Sequence, residues 1–222
     1  MTLKTFLLGT ALLCCAAAGY GQGDSLEVLQ VRLAPLNLAD PWTGVIQVGV
    51  QKRFTERIAV GLDYGLKCRL DTRYRNEERE DYRYYKAKAE LKYYLFLRRY
   101  NYTNFKRPYL AVQAFYFPQH YRKYNDWLVT PGKDYRYEYS DIDRIVSVAS
   151  LLAGGEVVRN RIVLDFYFGG GVRRINIRHH MVGAVEATYH DEDWGAKLDR
   201  FEGITFRPHM VWGFKVGYSF RK

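Results

Sequence analysis

Five histidines, one pair of them adjacent, are the residues of this chain best suited to proton transfer or metal binding. They are His120, His179, His180, His190 and His209. A lipid-processing acyl hydrolase or acyl transferase needs a histidine beside a serine nucleophile. The strand positions bring no histidine and serine together. His190-Asp191-Glu192-Asp193 offers an acid–base or metal cluster, yet no metal-ligand spacing accompanies it. The sequence therefore predicts no catalytic residue, no metal site and no cofactor. A second chemistry is anion recognition by basic side chains set among tyrosines. Arg122, Lys123, Lys133 and Arg136 lie close to Tyr121, Tyr124, Tyr135 and Tyr137. Such side chains bind phosphates or anionic sugars through charge-assisted hydrogen bonds, with aromatic faces on the sugar rings.

What positions these residues is a series of two-faced strands. Met210, Trp212, Phe214, Val216, Tyr218 and Phe220 alternate with Val211, Gly213, Lys215, Gly217 and Ser219. Successive strand side chains point to opposite faces, so this segment has one large apolar face and one small or polar face. Tyr85 to Leu97 alternates in the same way with Lys86, Lys88, Glu90 and Lys92, and Ile162 to Val172 with Asp165, Tyr167, Gly169 and Gly171. Eight strands are predicted, at 26–34, 43–53, 58–67, 83–97, 108–117, 142–156, 162–173 and 206–220. Strands 108–117 and 142–156 have less distinct faces. No helical periodicity stands out beyond the first residues.

The 222-residue chain is long enough for one domain. Met1-Thr2-Leu3-Lys4 and the apolar run to Ala18 have the length of a signal-peptide core, short of a membrane-spanning helix. Cleavage is expected after Gly21, or alternatively after Ala18. This gives a signal peptide over 1–21 and a barrel domain over 22–222. Leu13 before Cys14 argues against lipidation. The mature chain then keeps Cys68 alone, which excludes an intrachain disulfide. The net charge of +10 with 36 aromatic residues would suit nucleic acid, but export argues against that partner. The same composition suits aromatic girdles and basic residues beside anionic head groups.

Connection lengths give an independent indication. With the mature N-terminus periplasmic, the external connections are 35–42, 68–82, 118–141 and 174–205, and the internal ones are 54–57, 98–107 and 157–161. Long loops on one side and short turns on the other are expected of an outer-membrane barrel. The signal peptide, the eight strands, this alternation and the final strand Gly213-x-x-Val216-x-Tyr218-x-Phe220 together resemble the small outer-membrane β-barrel proteins of Gram-negative bacteria. That final strand is similar to the signal read by the barrel-assembly machinery, although it continues into Arg221-Lys222.

The resemblance implies an all-β fold, an eight-stranded antiparallel up-and-down transmembrane β-barrel in the outer membrane. Its partners would be lipopolysaccharide, the assembly machinery and a surface ligand. The expected role is non-enzymatic: envelope integrity, adhesion or loop display. A lipid-A-modifying enzyme and a periplasmic lipid-binding barrel are the alternatives. So narrow a lumen is filled by side chains. Asp63, Lys86, Lys88, Glu90, Lys92, Asp165 and Lys215 should therefore neutralise one another inside it.

Overall fold

A computed structural model describes residues 29–37, 44–68, 79–95, 104–130, 132–187 and 198–220. The expected signal peptide, 1–21, lies outside the described residues, as does the acidic segment 191–193. Eight long or medium strands form a closed antiparallel barrel: β1 (Leu29–Leu33), β2 (Val45–Arg53), β3 (Ile58–Lys67), β4 (Glu80–Tyr94), β5 (Asn104–Tyr124), β8 (Tyr139–Arg159), β9 (Ile162–Val182) and β11 (Gly203–Phe220). The ring closes where Leu29–Leu33 pairs with Val216–Phe220. The terminal strand singled out by its alternation is thus the closing strand. A small separate sheet holds β6 (Trp127–Thr130), β7 (Lys133–Arg136) and β10 (Val185–Glu186). Among the described residues, no helix is long and apolar enough to cross a membrane, which says nothing about strands.

The register determines the barrel's shape. One row of paired residues runs from Arg207 through Arg173, Val148, Phe115, Lys88, Asp63, Gly49 and Arg32 to Gly217. It returns to β11 ten residues beyond its start. That stagger tilts the strands and leaves an interior only wide enough for side chains.

The alternation reverses the usual preference. The face turned away from the ring carries Leu151, Phe166, Phe168, Met210 and Trp212, all more than half exposed. The face turned inward buries Arg32, Gln51, Glu90, Lys92, Glu156, Asp165 and Lys215. Glycines on the inner face make room for these long groups. A Cβ on Gly49 would lie 1.7 Å from the Asp63 carboxylate, and one on Gly61 would lie 2.2 Å from the Arg32 guanidinium. At Gly169 and Gly171 a Cβ would instead strike the neighbouring strand's carbonyls, those of Leu151 and Ala149. These two glycines let the backbones approach closely.

Four strands run further than their alternation indicated. β5 continues to Tyr124 and begins at Asn104, β8 starts at Tyr139 and ends at Arg159, β9 continues to Val182, and β11 starts at Gly203. The expected loop 118–141 therefore contains strand ends and the β6–β7 hairpin, and the expected loop 174–205 begins inside β9. These extensions carry polar residues on both faces, such as Gln119, His120, Arg122 and Lys123, so period-two hydrophobicity fades while the hydrogen-bonded ladder continues. The corrected connections alternate more clearly. The spans 34–44, 68–79, 125–138 and 183–202 at one end are each longer than 54–57, 95–103 and 160–161 at the other.

Candidate functional site

Two clusters occupy the barrel, one near the short-turn end and one beneath the long loops. The first is an ion-pair layer. Lys215 Nζ donates to Asp63 at 2.9 Å and to Glu90 at 2.6 Å. Lys92 Nζ donates to Glu156 at 2.8 Å and to Asp165 at 2.5 Å. Arg32 donates to Asp63 at 3.1 Å and to Gln51 at 2.6 Å. Arg53 stands 3.8 Å from Glu156. Four cations thus face four carboxylates, and the layer is neutral. Tyr94 and Tyr109 complete it by donating to Glu156 and Asp165, each at 2.7 Å. Their rings also lie beneath Arg53 and Lys92. A buried charge left alone would cost several kcal/mol, so each member requires the others.

Five of the seven expected interior charges, Asp63, Glu90, Lys92, Asp165 and Lys215, join this layer. Lys86 and Lys88 also point inward, over the rings of Phe117 and Phe115 at 5.0 and 5.5 Å. Arg32, Arg53, Glu156 and both tyrosines were not anticipated. Arg32 sits on the five-residue β1 and Glu156 on β8, and neither strand's pattern separated its faces sharply.

The second cluster covers the loop end. The 3-10 helix Leu198–Arg200 brings Asp199 and Arg200 over the mouth. Asp199 accepts from Arg79 at 2.5 Å and lies 3.5 Å from Lys123. Asp126 accepts from Arg200 at 2.7 Å and from Lys123 at 3.2 Å. Burial disfavours both carboxylates in their charged form, but neighbouring cations outweigh it. Arg79 and Lys123 hold Asp199 below the usual aspartate range, and Lys123 and the Trp127 amide do the same for Asp126. Tyr121, Tyr137 and Leu128 are packed out of solvent under this cap.

The four basic residues expected to bind anionic lipid do not form one patch. Arg122 makes a two-point contact with Asp141 at 2.8 and 3.0 Å. Lys123 turns inward into the cap. Lys133 pairs with Glu186 at 2.8 Å, and Arg136 is exposed on β7 opposite Trp127 and Val185.

No family model matches this chain, and no characterised protein or solved structure is significantly similar to it.

The structure also brings together a serine and a histidine that the strand positions did not. Ser140 Oγ lies 3.4 Å from His179 Nδ1 across β8 and β9. Ser140 is wholly buried, and His179 Nε2 has no partner. His179 was expected beyond its strand; it is inside β9, because that strand continues to Val182. Among the described residues, no group of three His, Cys, Asp or Glu side chains is placed to hold a metal ion.

Proposed function

We propose that this chain is an integral β-barrel of the bacterial outer membrane, without enzymatic activity, whose role is structural or interactive. The observation that carries the reading is the reversed distribution of polarity around the ring. Large apolar side chains such as Trp212, Phe168 and Leu151 are exposed on the outside, and the ion-pair layer is buried inside. Lipid is the solvent that rewards an apolar exterior, and pairing around the ring satisfies the backbone of the strands it joins. β2 and β3, with nine and ten residues, have the length a tilted strand needs to cross a bilayer. A soluble lipid-binding barrel would need the opposite arrangement, an apolar cavity and a polar exterior. Sodium carbonate extraction of cell membranes tests the reading: the protein should stay in the pellet, and its release would favour the soluble alternative.

Lipopolysaccharide and a surface ligand are the partners this reading supports, with Arg122, Lys133 and Arg136 at the loop end, the first two paired with Asp141 and Glu186, and Lys123 committed to the cap. Replacing those three by Gln should lower co-purifying lipopolysaccharide without changing heat-modifiable gel mobility. Unchanged lipid would reduce them to a solvated rim.

The Ser140–His179 contact favours a second reading, a lipid-A-modifying enzyme. It ranks lower because Ser140 is sealed from both lipid and water. Ser140→Ala should leave the lipid A profile of intact cells unchanged; an altered profile would promote the enzyme reading.

A further inference from the structure

Between the neutral ion-pair layer and the loop-end cap, the inward positions form a section with a different charge balance. They run over Tyr82–Lys88 on β4, Gln113–Tyr121 on β5, Ile142–Ser150 on β8, Gly169–Ile177 on β9 and Thr205–Gly213 on β11. Not one inward residue in these stretches is Asp or Glu, whereas Lys88, Arg144, Arg173 and Arg207 all are inward and basic. Among the described residues, none of these four has a carboxylate within ion-pair distance.

Arg173 and Arg207 are register partners on β9 and β11, so their side chains leave neighbouring backbone positions on the same face. Like charges directly opposite on paired strands repel. Among the described residues, no carboxylate pairs with them: Arg173 Nη2 lies 2.7 Å from His209 Nδ1, a neutral acceptor at most, and the buried Nε atoms of Arg173 and Arg144 have no acceptor. The charge of Arg144 bears on the same group. Gln119, which accepts from Arg144 at 3.4 Å, keeps its own amide nitrogen without a partner. The layer below shows that this interior can supply one carboxylate per cation. In this section it supplies neutral acceptors, Gln119 and His209, and no carboxylate.

One edge of β11 is also left unpaired among the described residues. β1 pairs with only the last five residues of β11, so Gly203–Lys215 is hydrogen-bonded on its β9 side and not to β1. Pro208, which has no amide hydrogen to offer, lies within that stretch. Arg207 is exposed there.

We propose that the section bounded by Arg173 and Arg207 is a binding site for a phosphate group, with Arg144 and Lys88 adding charge and His209 orienting Arg173. A phosphate placed between two guanidinium groups accepts paired hydrogen bonds from both and turns their repulsion into attraction. The phosphate can belong to a free ion or to a lipid head group reaching in beside β11. The site goes beyond the structural role proposed above and does not depend on it.

The test uses the full mature chain refolded in detergent. Inorganic phosphate is titrated calorimetrically in one arm, and diphosphorylated lipid A against its dephosphorylated form in the other. The wild type should bind in at least one arm. Arg173→Gln with Arg207→Gln should weaken that binding by about tenfold or more, the loss expected for a charge-assisted hydrogen bond. Arg161→Gln, in the short turn at the opposite end of the barrel with the Tyr218 hydroxyl as its partner, should bind as the wild type does. Binding in the first arm identifies a free ion, and binding in the second alone identifies a lipid head group. If the double variant fails to refold, the wild type still decides: phosphate or lipid A should protect Arg173 and Arg207 from phenylglyoxal, read by mass spectrometry. Absence of binding in both arms, equal binding by the folded double variant, or equal labelling of the two arginines with and without ligand would overturn the site.

Discussion

Lys215 and Glu90 meet at 2.6 Å although their strands, β11 and β4, are four places apart around the ring in either direction. The contact therefore spans the barrel. Together with Lys92, Asp165 and Glu156 it places a wall of paired charges across the lumen, which argues against an ion path.

Removing one member of this wall leaves the others uncompensated. Lys215→Met should cost about 3–5 kcal/mol of unfolding free energy, because Glu90 and Asp63 lose a shared cation in a water-poor interior. Urea unfolding of the refolded protein measures it. A loss under about 1 kcal/mol would be that of a solvent-exposed pair and would mean that the lumen is wet.

The inner-face glycines should be intolerant in proportion to what surrounds them. Gly49→Ala would place its Cβ against the Asp63 carboxylate and the Leu62 carbonyl. It should destabilise by about 1–3 kcal/mol, as overpacking of a filled interior does. Gly155→Ala, on the outer face of β8, meets open space and should change little. The two midpoints in denaturant, compared with wild type, check this.

The loop-end cap should respond to acid. The Asp199 carboxyl is held below its ordinary value of 3.8. Its contribution is complete above that value and is lost as pH falls through the lower value of the folded state. Trypsin accessibility of the loop end should therefore be flat from pH 7 to pH 5 and rise only below about 4, measured as hydrogen exchange where trypsin no longer acts. Asp199→Asn should show the open pattern already at neutral pH. Opening of the wild type near pH 6 would implicate a histidine instead.

Much of this fold was legible because lipid-type and interior faces alternate residue by residue. Phe166 against Asp165, and Phe214 against Lys215, assign each side chain without any knowledge of its neighbours. Strand ends were less legible, since beyond the apolar band Gln119, His120, Arg122 and Lys123 present polar groups on both sides. The site was legible only as a list of inward charges. Which cation meets which carboxylate depends on register around a closed ring: Lys215 stands opposite Asp165 in the pairing, yet its hydrogen bonds go to Asp63 and Glu90. The Ser140–His179 contact was hidden for the same reason, as it required β9 to continue past residue 173.

The central claim is that one face of each strand meets lipid and the other meets a filled interior. Single cysteines at positions 214 and 215, each carrying a small environment-sensitive fluorophore, test it in protein refolded into vesicles that contain brominated lipid. The account expects strong quenching at Phe214→Cys and little at Lys215→Cys. Equal quenching at the two adjacent positions, or quenching at 215 alone, would contradict it.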